Sequence, residues 1–328
     1  IKDSMVTKIR IINPYNGLYL TKIKNCLRDK LGNRFQIIKK IPRILKNSYT
    51  SNFGFQWNKF RKTQIFRENY NNNINELRFF KQSGWSDLDL KNQNLLEVGC
   101  GAGRFSSIIL QKTKANLFSI DSSSAVEANA LNNLNIKNKK RFKLIQSDIY
   151  HMPFPSKSFD KIFCFGVLQH TPNSYKAVNC LIEKLKSKGE LVIDFYPYKS
   201  FLTKIHAKYI FRIFTKKINH EKLYGIIKTY ISFFYYLYNL LDMLGLHILT
   251  RFLPICDIKN TIPKNISEKL KREWIILDTL DMFSPTYDRP IKIKEMTNFL
   301  KEKKCKIIFS GYVNYLNMRS AVKCVLAK

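Results

Sequence analysis

No two cysteines stand three positions apart. The seven, at 26, 100, 164, 180, 256, 305 and 324, are odd in number and scattered. That spacing excludes a metal centre built on C-x-x-C pairs and fits a reduced, cytosolic setting. No repeat or low-complexity tract occurs. Nor does an apolar core follow a basic start, as a signal peptide would show. The chain opens on Ile rather than Met, so its natural start is expected upstream. Acids are scarce: 24 Asp and Glu stand against 57 Lys and Arg in 328 residues, a net charge of +33. Such a balance points to nucleic acid or an anionic membrane surface. It equally fits compositional drift, since Lys, Asn and Ile abound everywhere, and the charge alone decides nothing. Glycine is also rare, with 12 in the chain, yet three stand at 99, 101 and 103 in LLEVGCGAGRF (95–105). Glycine clustered between two apolar runs marks a backbone that turns sharply or approaches something closely.

What is present is ample apolar material, 45% of residues, enough for one large domain or two modest ones. Residues 1–48 are short, basic and mixed. Residues 49–92 hold FGFQW and a helix through Phe79 and Phe80 that ends near Gly84. From 93 to 198 strands and helices alternate: NLLEVG, RFSSIILQK, ANLFSID, SAVEANALNNLN, RFKLIQSD, FDKIFCFGVL, SYKAVNCLIEKLK and GELVIDFYPY. Lys188-Gly189 reads as the close of the last helix. This rhythm means a parallel sheet covered on both faces. Residues 199–283 break it with a basic helical stretch (199–217) and an aromatic-rich one (230–249). Residues 284–328 resume it with a helix and two closing strands.

In such a sheet ligands bind beyond the carboxyl ends of the strands. The loop is G-x-G-x-G rather than G-x-G-x-x-G, with Glu97 two residues before it. An acid there suits a cationic or neutral ligand better than a pyrophosphate. Asp121 ends the second strand, where a carboxylate can accept ribose hydroxyls. Asp148 ends the third, where a side chain could meet an adenine edge.

EVGCGAGR, Asp121, QSDIYHMPFPSKSFDKIFCFGVLQHTPN and Lys-Gly-Glu before the fifth strand, in that order, resemble the class I S-adenosylmethionine-dependent methyltransferases over roughly 93–198. The resemblance implies an α/β, Rossmann-like sheet of seven strands in the order 3-2-1-4-5-7-6, the seventh antiparallel. It implies S-adenosyl-L-methionine as cofactor. Glu97 would lie near the methionine amino group and Asp121 on the ribose, with Asp148 and Ile149 beside the adenine. Gly99, Gly101, Gly103, Ser122 and Phe165 complete the expected cofactor set. Methyl transfer from a sulfonium needs mainly alignment; a base is required only for a hydroxyl or protonated amine.

The flanks FGFQW, LQHTP, KKIPRIL and WIILDTLDMFSPTYDRP resemble a bacterial group with an N-terminal zinc-ribbon-like segment and a helical insertion. Where that pattern carries cysteine ligands, this chain has Asn13, Asn16, Arg28 and Leu31. Without thiolates no tetrahedral zinc site forms. Residues 1–48 are expected to be a metal-free relic held by apolar residues.

His170, after the fourth strand, is placed either as a general base or as a residue orienting its loop before Pro172. Tyr287, Asp288 and Arg289 in SPTYDRP form either a substrate loop or a rigid connector. Trp57 and Gln56 either close over the site or, for Trp57, pack in the core, and Tyr196 and Tyr198 stand at the rim. The 230–249 stretch, carrying Asn239, Asp242 and His247, reads as a cap over the site or as a peripheral membrane contact. The expected function is methyl transfer to a small-molecule, glycan or lipid acceptor, at oxygen, in the cytoplasm or at the inner membrane face. The rivals are an RNA methyltransferase and a non-catalytic membrane-associated scaffold.

Overall fold

The computed structural model describes residues 9–46, 48–65, 74–134, 139–200, 203, 205–263, 266–314 and 318–326. The N-terminal segment is an antiparallel meander of β1 (Thr21–Ile23), β2 (Cys26–Arg28), β3 (Arg34–Ile38) and β4 (Ile41–Pro42). As expected, apolar residues hold it: Leu27 and Ile44 join the main core, with Phe35 and Ile37 packed against them. Beside them lies a polar knot. Asp29, 4% exposed, accepts from the side-chain amides of Asn13, Asn16 and Asn33, each at 2.8 Å. Its other oxygen accepts from Leu31 N and Asn33 N, both at 3.0 Å. Burial alone would raise the Asp29 carboxyl, but the Asn16, Asn13 and Asn33 amides hold it well below the usual carboxylate range. Among the described residues no His, Cys, Asp and Glu cluster is disposed to hold a metal.

Two helices follow, α1 (Ser51–Lys59) and α2 (Ile74–Ser83), and then the alternating core. Its elements are β5 (Asn94–Val98), α3 (Arg104–Lys112), β6 (Asn116–Asp121), α4 (Ala125–Asn133), β7 (Phe142–Gln146), β8 (Phe159–Cys164), α5 (Ser174–Lys184) and β9 (Leu185–Ile193). The insertion contributes α6 (Ala207–Thr215), α7 (His220–Met243), α8 (His247–Thr250), α9 (Ile258–Thr261) and α10 (Glu268–Phe283). The chain closes with α11 (Ile293–Glu302), β10 (Cys305–Asn314) and β11 (Met318–Leu326).

The seven-stranded sheet runs β10-β11-β9-β8-β5-β6-β7. This is the expected order, with β11, the seventh strand of the sheet, antiparallel to both neighbours. Every residue of β5 is buried, as a central parallel strand requires. At the β7 edge Ile44 N donates to Gln146 O at 2.8 Å, and Arg43 reaches Gln146 Oε1 at 3.0 Å and Glu127 at 2.9 Å. The meander thereby covers a strand edge that would otherwise stand open.

Two expectations are corrected. Helix α5 ends at Lys184, not at Lys188-Gly189; β9 starts at once, and Lys188 takes a left-handed φ of 61° within it. A Cβ on Gly189 would stand 2.9 Å from Lys186 O, so this glycine relieves crowding in an irregular strand pairing. The basic helix expected over 199–217 begins only at Ala207; positions 201, 202 and 204 lie outside the described residues. The aromatic stretch packs as a cap: Leu223, Ile227, Ile231 and Tyr238 of α7 join Trp274, Leu277 and Leu280 of α10 in a separate apolar cluster. Among the described residues no helix is long and apolar enough to cross a membrane.

Candidate active site

A cavity of about 700 Å³ opens beyond the carboxyl ends of β5, β6 and β8. Its floor is the sheet and its loops; its roof is α1 and the insertion. The three glycines of the loop after β5 all have left-handed backbones, at φ +76°, +50° and +84°. A Cβ at Gly99 would lie 2.1 Å from Val167 Cγ2, and one at Gly103 would lie 2.3 Å from Asn129 and Asn133. Those two serve packing against the β8 loop and α4. Only Gly101 presents a bare Cα toward the cavity, its nearest prospective neighbour being the Trp57 indole at 3.4 Å. Trp57, half-buried on α1, therefore lies against the glycine loop on the cavity wall.

Gly101 N donates to Asp121 Oδ2 at 2.9 Å, while Asp121 Oδ1 accepts from Ser123 N at 2.8 Å and Ser123 Oγ at 2.6 Å. A carboxylate has about four acceptor positions, so one on Oδ2 stays open at the cavity wall. Burial pushes the Asp121 carboxyl up, against the opposing pull of Ser123 and the Gly101 N–H. Ser122, Ile149 and Phe165 also line the cavity. Ser122 Oγ bonds Thr50 Oγ1 at 2.9 Å, tying the floor to the start of α1.

Glu97 and Asp148 do not line the cavity. Glu97 is 1% exposed and sits behind the glycine loop, where one oxygen joins Ser106 Oγ of α3 (2.5 Å) to Ser119 Oγ of β6 (2.6 Å). Burial pushes its carboxyl up to about 7, against those two hydroxyls. Asp148 caps the turn after β7, accepting from Tyr150 N at 2.7 Å and His151 N at 2.9 Å, with the His151 ring at 3.0 Å. The turn consumes the oxygens that were expected to meet an adenine.

His170 is on the wall and 6% exposed. Its Nδ1 lies 2.9 Å from Tyr287 O, and its ring packs between Phe53 and Tyr196 at 5.0 and 5.6 Å. A ring nitrogen facing a carbonyl oxygen must carry a proton, and in the neutral ring Nε2 is then the acceptor. Tyr196 lines the cavity and reaches Asp281 Oδ2 at 3.5 Å.

Of the SPTYDRP residues, Asp288 and Pro290 reach the cavity wall, and the Asp288 carboxylate is committed elsewhere. Asp288 Oδ2 accepts from Lys208 Nζ at 2.9 Å and Arg212 Nη1 at 2.7 Å, both on α6. Burial opposes ionisation, yet Lys208, His170 and Arg212 together hold the carboxyl below its ordinary value. Arg289 N bonds Gln169 O at 2.8 Å, and its guanidinium bonds Pro172 O. Tyr287 meets Tyr49 edge-on at 5.7 Å. The segment thus clamps the His170 loop to the roof.

Several wall residues were not anticipated from sequence. Arg78 of α2 pairs with Asp194 at 2.7 Å, both buried, and Gln82 Nε2 joins the same oxygen at 3.0 Å. The second Asp194 oxygen accepts from Gly166 N, fixing the loop after β8. Gln56, by contrast, was expected beside Trp57 as a residue closing over the site; it is 1% exposed and reaches Asp281 Oδ1 at 3.2 Å across the roof. His206 caps α6; burial first, then Lys208 and Arg251, push it down to about 4, so it is neutral near pH 7. No local pattern marked the Arg78–Asp194 pair, because its partners are 116 residues apart.

Residues 89–227 match a family model described as a methyltransferase domain. A tRNA U34 carboxymethyltransferase of Nautilia profundicola is 28% identical over 172 residues, which are 51% of this chain and 50% of that protein. Phosphoethanolamine N-methyltransferase 2 of Caenorhabditis elegans is 29% identical over 104 residues, 32% of this chain and 24% of that one. The matches therefore span half or less of these two relatives' length. Among solved structures, magnesium protoporphyrin IX methyltransferase from Synechocystis PCC 6803 with bound SAH aligns over 85% of this chain and 97% of its own, at 14% identity and a TM-score of 0.48. Over residues 89–227 the chain carries a methyltransferase domain.

Proposed function

We propose that the chain methylates a hydroxyl of a small, polar acceptor of sugar or lipid-headgroup type, held in the cavity between floor and roof, with His170 as general base. The observation that carries this reading is the 2.9 Å contact of His170 Nδ1 with Tyr287 O. It fixes the proton on Nδ1 and leaves Nε2 free to take the acceptor's hydroxyl proton. The floor fits the cofactor: Gly101 offers a cradle that a Cβ would fill, and Asp121 keeps one acceptor position open. These features speak against a non-catalytic scaffold that merely keeps the fold. Bound S-adenosylmethionine supplies a methyl group already activated on a sulfonium. The protein's own share is to bind, align, exclude water and receive one proton. Asp278 and Asp281 line the roof side of the cavity beside Lys199 and Arg251, a mixed polar wall that suits an acceptor rich in hydroxyls.

A second reading, methylation of RNA, is favoured by the +33 charge and by the tRNA-directed name of the Nautilia relative. The small-molecule name of the C. elegans relative favours the first. The deciding experiment transfers labelled methyl groups from S-adenosylmethionine to separate pools of sugars, lipids and RNA. Label in the sugar or lipid pool, lost by about 10²–10⁴-fold in His170→Asn with S-adenosylhomocysteine affinity unchanged, supports the first reading. Label confined to RNA, or His170→Asn as active as the parent, overturns it.

A further inference from the structure

Most of the large apolar side chains exposed among the described residues fall within residues 205–252 of the insertion. Helix α7 is apolar on two opposite faces. Leu223, Ile227, Ile231 and Tyr238 face inward, while Ile226 and then, at steps of three or four residues, Phe233, Tyr236, Leu240 and Met243 lie on the outside. Phe233 is 66% and Met243 77% exposed. The apolar surface continues past the helix through Leu246, Ile248, Leu249 and Phe252. There the chain meets the start of α6: Ala207 N donates to Arg251 O at 3.0 Å, and Arg251 reaches Ile205 O at 3.2 Å. Helix α6 repeats the plan. Its inner Arg212 and its Lys208 hold Asp288, while Ile210, Phe211, Ile213 and Phe214 point outward.

Charge is arranged around this surface rather than in it. From 229 to 249 the ionisable side chains other than tyrosine are Asp242 and His247, and Asp242 is paired with His247 at 2.6 Å and Lys259 at 3.1 Å. Lys216, Lys217, Lys222 and Lys228 are exposed along the linker between α6 and α7 and the first turns of α7. Their charge is unmatched locally except for Glu221. A surface helix with an apolar outer face and a basic margin lies in the headgroup region of an anionic bilayer. A second copy of the chain fits less well. A coiled-coil seam is narrow and carries charges on its flanks; here the flanks are Gly225, Ser232 and Asn239, and the apolar surface spans three helices.

We propose that the outer face of α6, α7 and α8 seats on an anionic phospholipid bilayer, lying on the membrane without crossing it. The contact places the insertion, and the cavity it roofs, at the lipid surface.

The test is co-sedimentation of the full chain with vesicles of phosphatidylglycerol and phosphatidylcholine in equal parts, and with phosphatidylcholine alone. The protein should partition onto the mixed vesicles and much less onto the neutral ones, with binding falling as salt rises. Phe233→Ser, Leu240→Ser and Met243→Ser combined should weaken partitioning by at least about tenfold. Lys216→Glu, Lys217→Glu and Lys222→Glu combined should weaken it by on the order of 100-fold. Both variants alter exposed positions and should keep the parent's melting temperature and S-adenosylhomocysteine binding. Absence of binding to the mixed vesicles overturns the proposal, as does undiminished binding by both variants. A concentration-dependent dimer in light scattering, dissolved by the serine variant, in a protein that ignores vesicles, assigns the face to a second copy and overturns it as well.

Discussion

The floor of the cavity and its roof hold their polar groups by different means. On the floor the bonds are short in sequence or made by backbone: Asp121 is held by Gly101 N and Ser123, and Gly99 N and Cys100 N both donate to Ile120 O. On the roof the bonds start from side chains and join segments far apart in the chain: Lys208 and Arg212 to Asp288, Gln56 to Asp281, His170 to the Tyr287 carbonyl. A backbone-built floor tolerates little change in sequence and suits a constant ligand. A side-chain-built roof can be rewritten pair by pair and suits a variable acceptor.

The largest expected effect is on the floor. Gly103→Ala combines a left-handed backbone with a collision against Asn129 and Asn133, and should cost about 2–5 kcal/mol of stability by denaturant unfolding. Gly245→Ala shares the left-handed φ but meets nothing within 4 Å, so it should cost only about 1–2 kcal/mol. Equal costs would mean that crowding behind the loop does not shape the floor.

On the roof, Asp288→Ala strands Lys208 and Arg212 without their counter-charge. Breaking a buried pair from one side costs about 3 kcal/mol or more, and the loss should be read as a lower melting temperature. A change inside experimental error would mean that α6 is held by its apolar contacts alone.

Glu97 supplies a pH signature of the floor. Its native carboxyl keeps its proton up to about 7, whereas the unfolded chain releases it near 4.5. The native state therefore binds the extra proton between those values, and stability contributed by Glu97 falls as pH rises through that window. Glu97→Gln should flatten the slope, and the difference between parent and variant should total at most roughly 3 kcal/mol. A difference profile of the opposite sign would place an ionised carboxylate in the native floor.

The smallest effect belongs to the N-terminal meander. Chelator should leave the melting temperature unchanged, because Asp29 and its three amides occupy the centre of that segment. Asp29→Ala should lower the melting temperature by a few degrees. Stoichiometric zinc in the purified protein, with chelator-sensitive melting, would contradict this.

The same division explains what could be read before any coordinates. RFSSIILQK is α3 residue for residue, because local pattern and burial determine it; the sheet order was legible only through the resemblance to the methyltransferases. The end of α5 was misplaced, since Lys188-Gly189 looks like a helix stop but solves a crowding problem inside β9. Glu97 and Asp148 were recognisable as positions but not as environments: Ser106, Ser119 and His151 claim their oxygens. The Asp29 knot lies one residue past an expected ligand position, and only the asparagines at 13, 16 and 33 hinted at it. The clamp of Tyr287 and Asp288 on His170 and α6 joins segments about 75 to 120 residues apart, a separation no local pattern encodes.

The contrast is tested most directly by calorimetric titration of S-adenosylhomocysteine into Asp121→Ala and Asp288→Ala, each below its melting transition. The account predicts that Asp121→Ala loses about 1.5–3 kcal/mol of binding, the range for a hydrogen bond to a charged group, while Asp288→Ala binds like the parent. Equal losses in the two variants, or parent-like binding by Asp121→Ala, would contradict the assignment of the cofactor to the floor and of the acceptor to the roof.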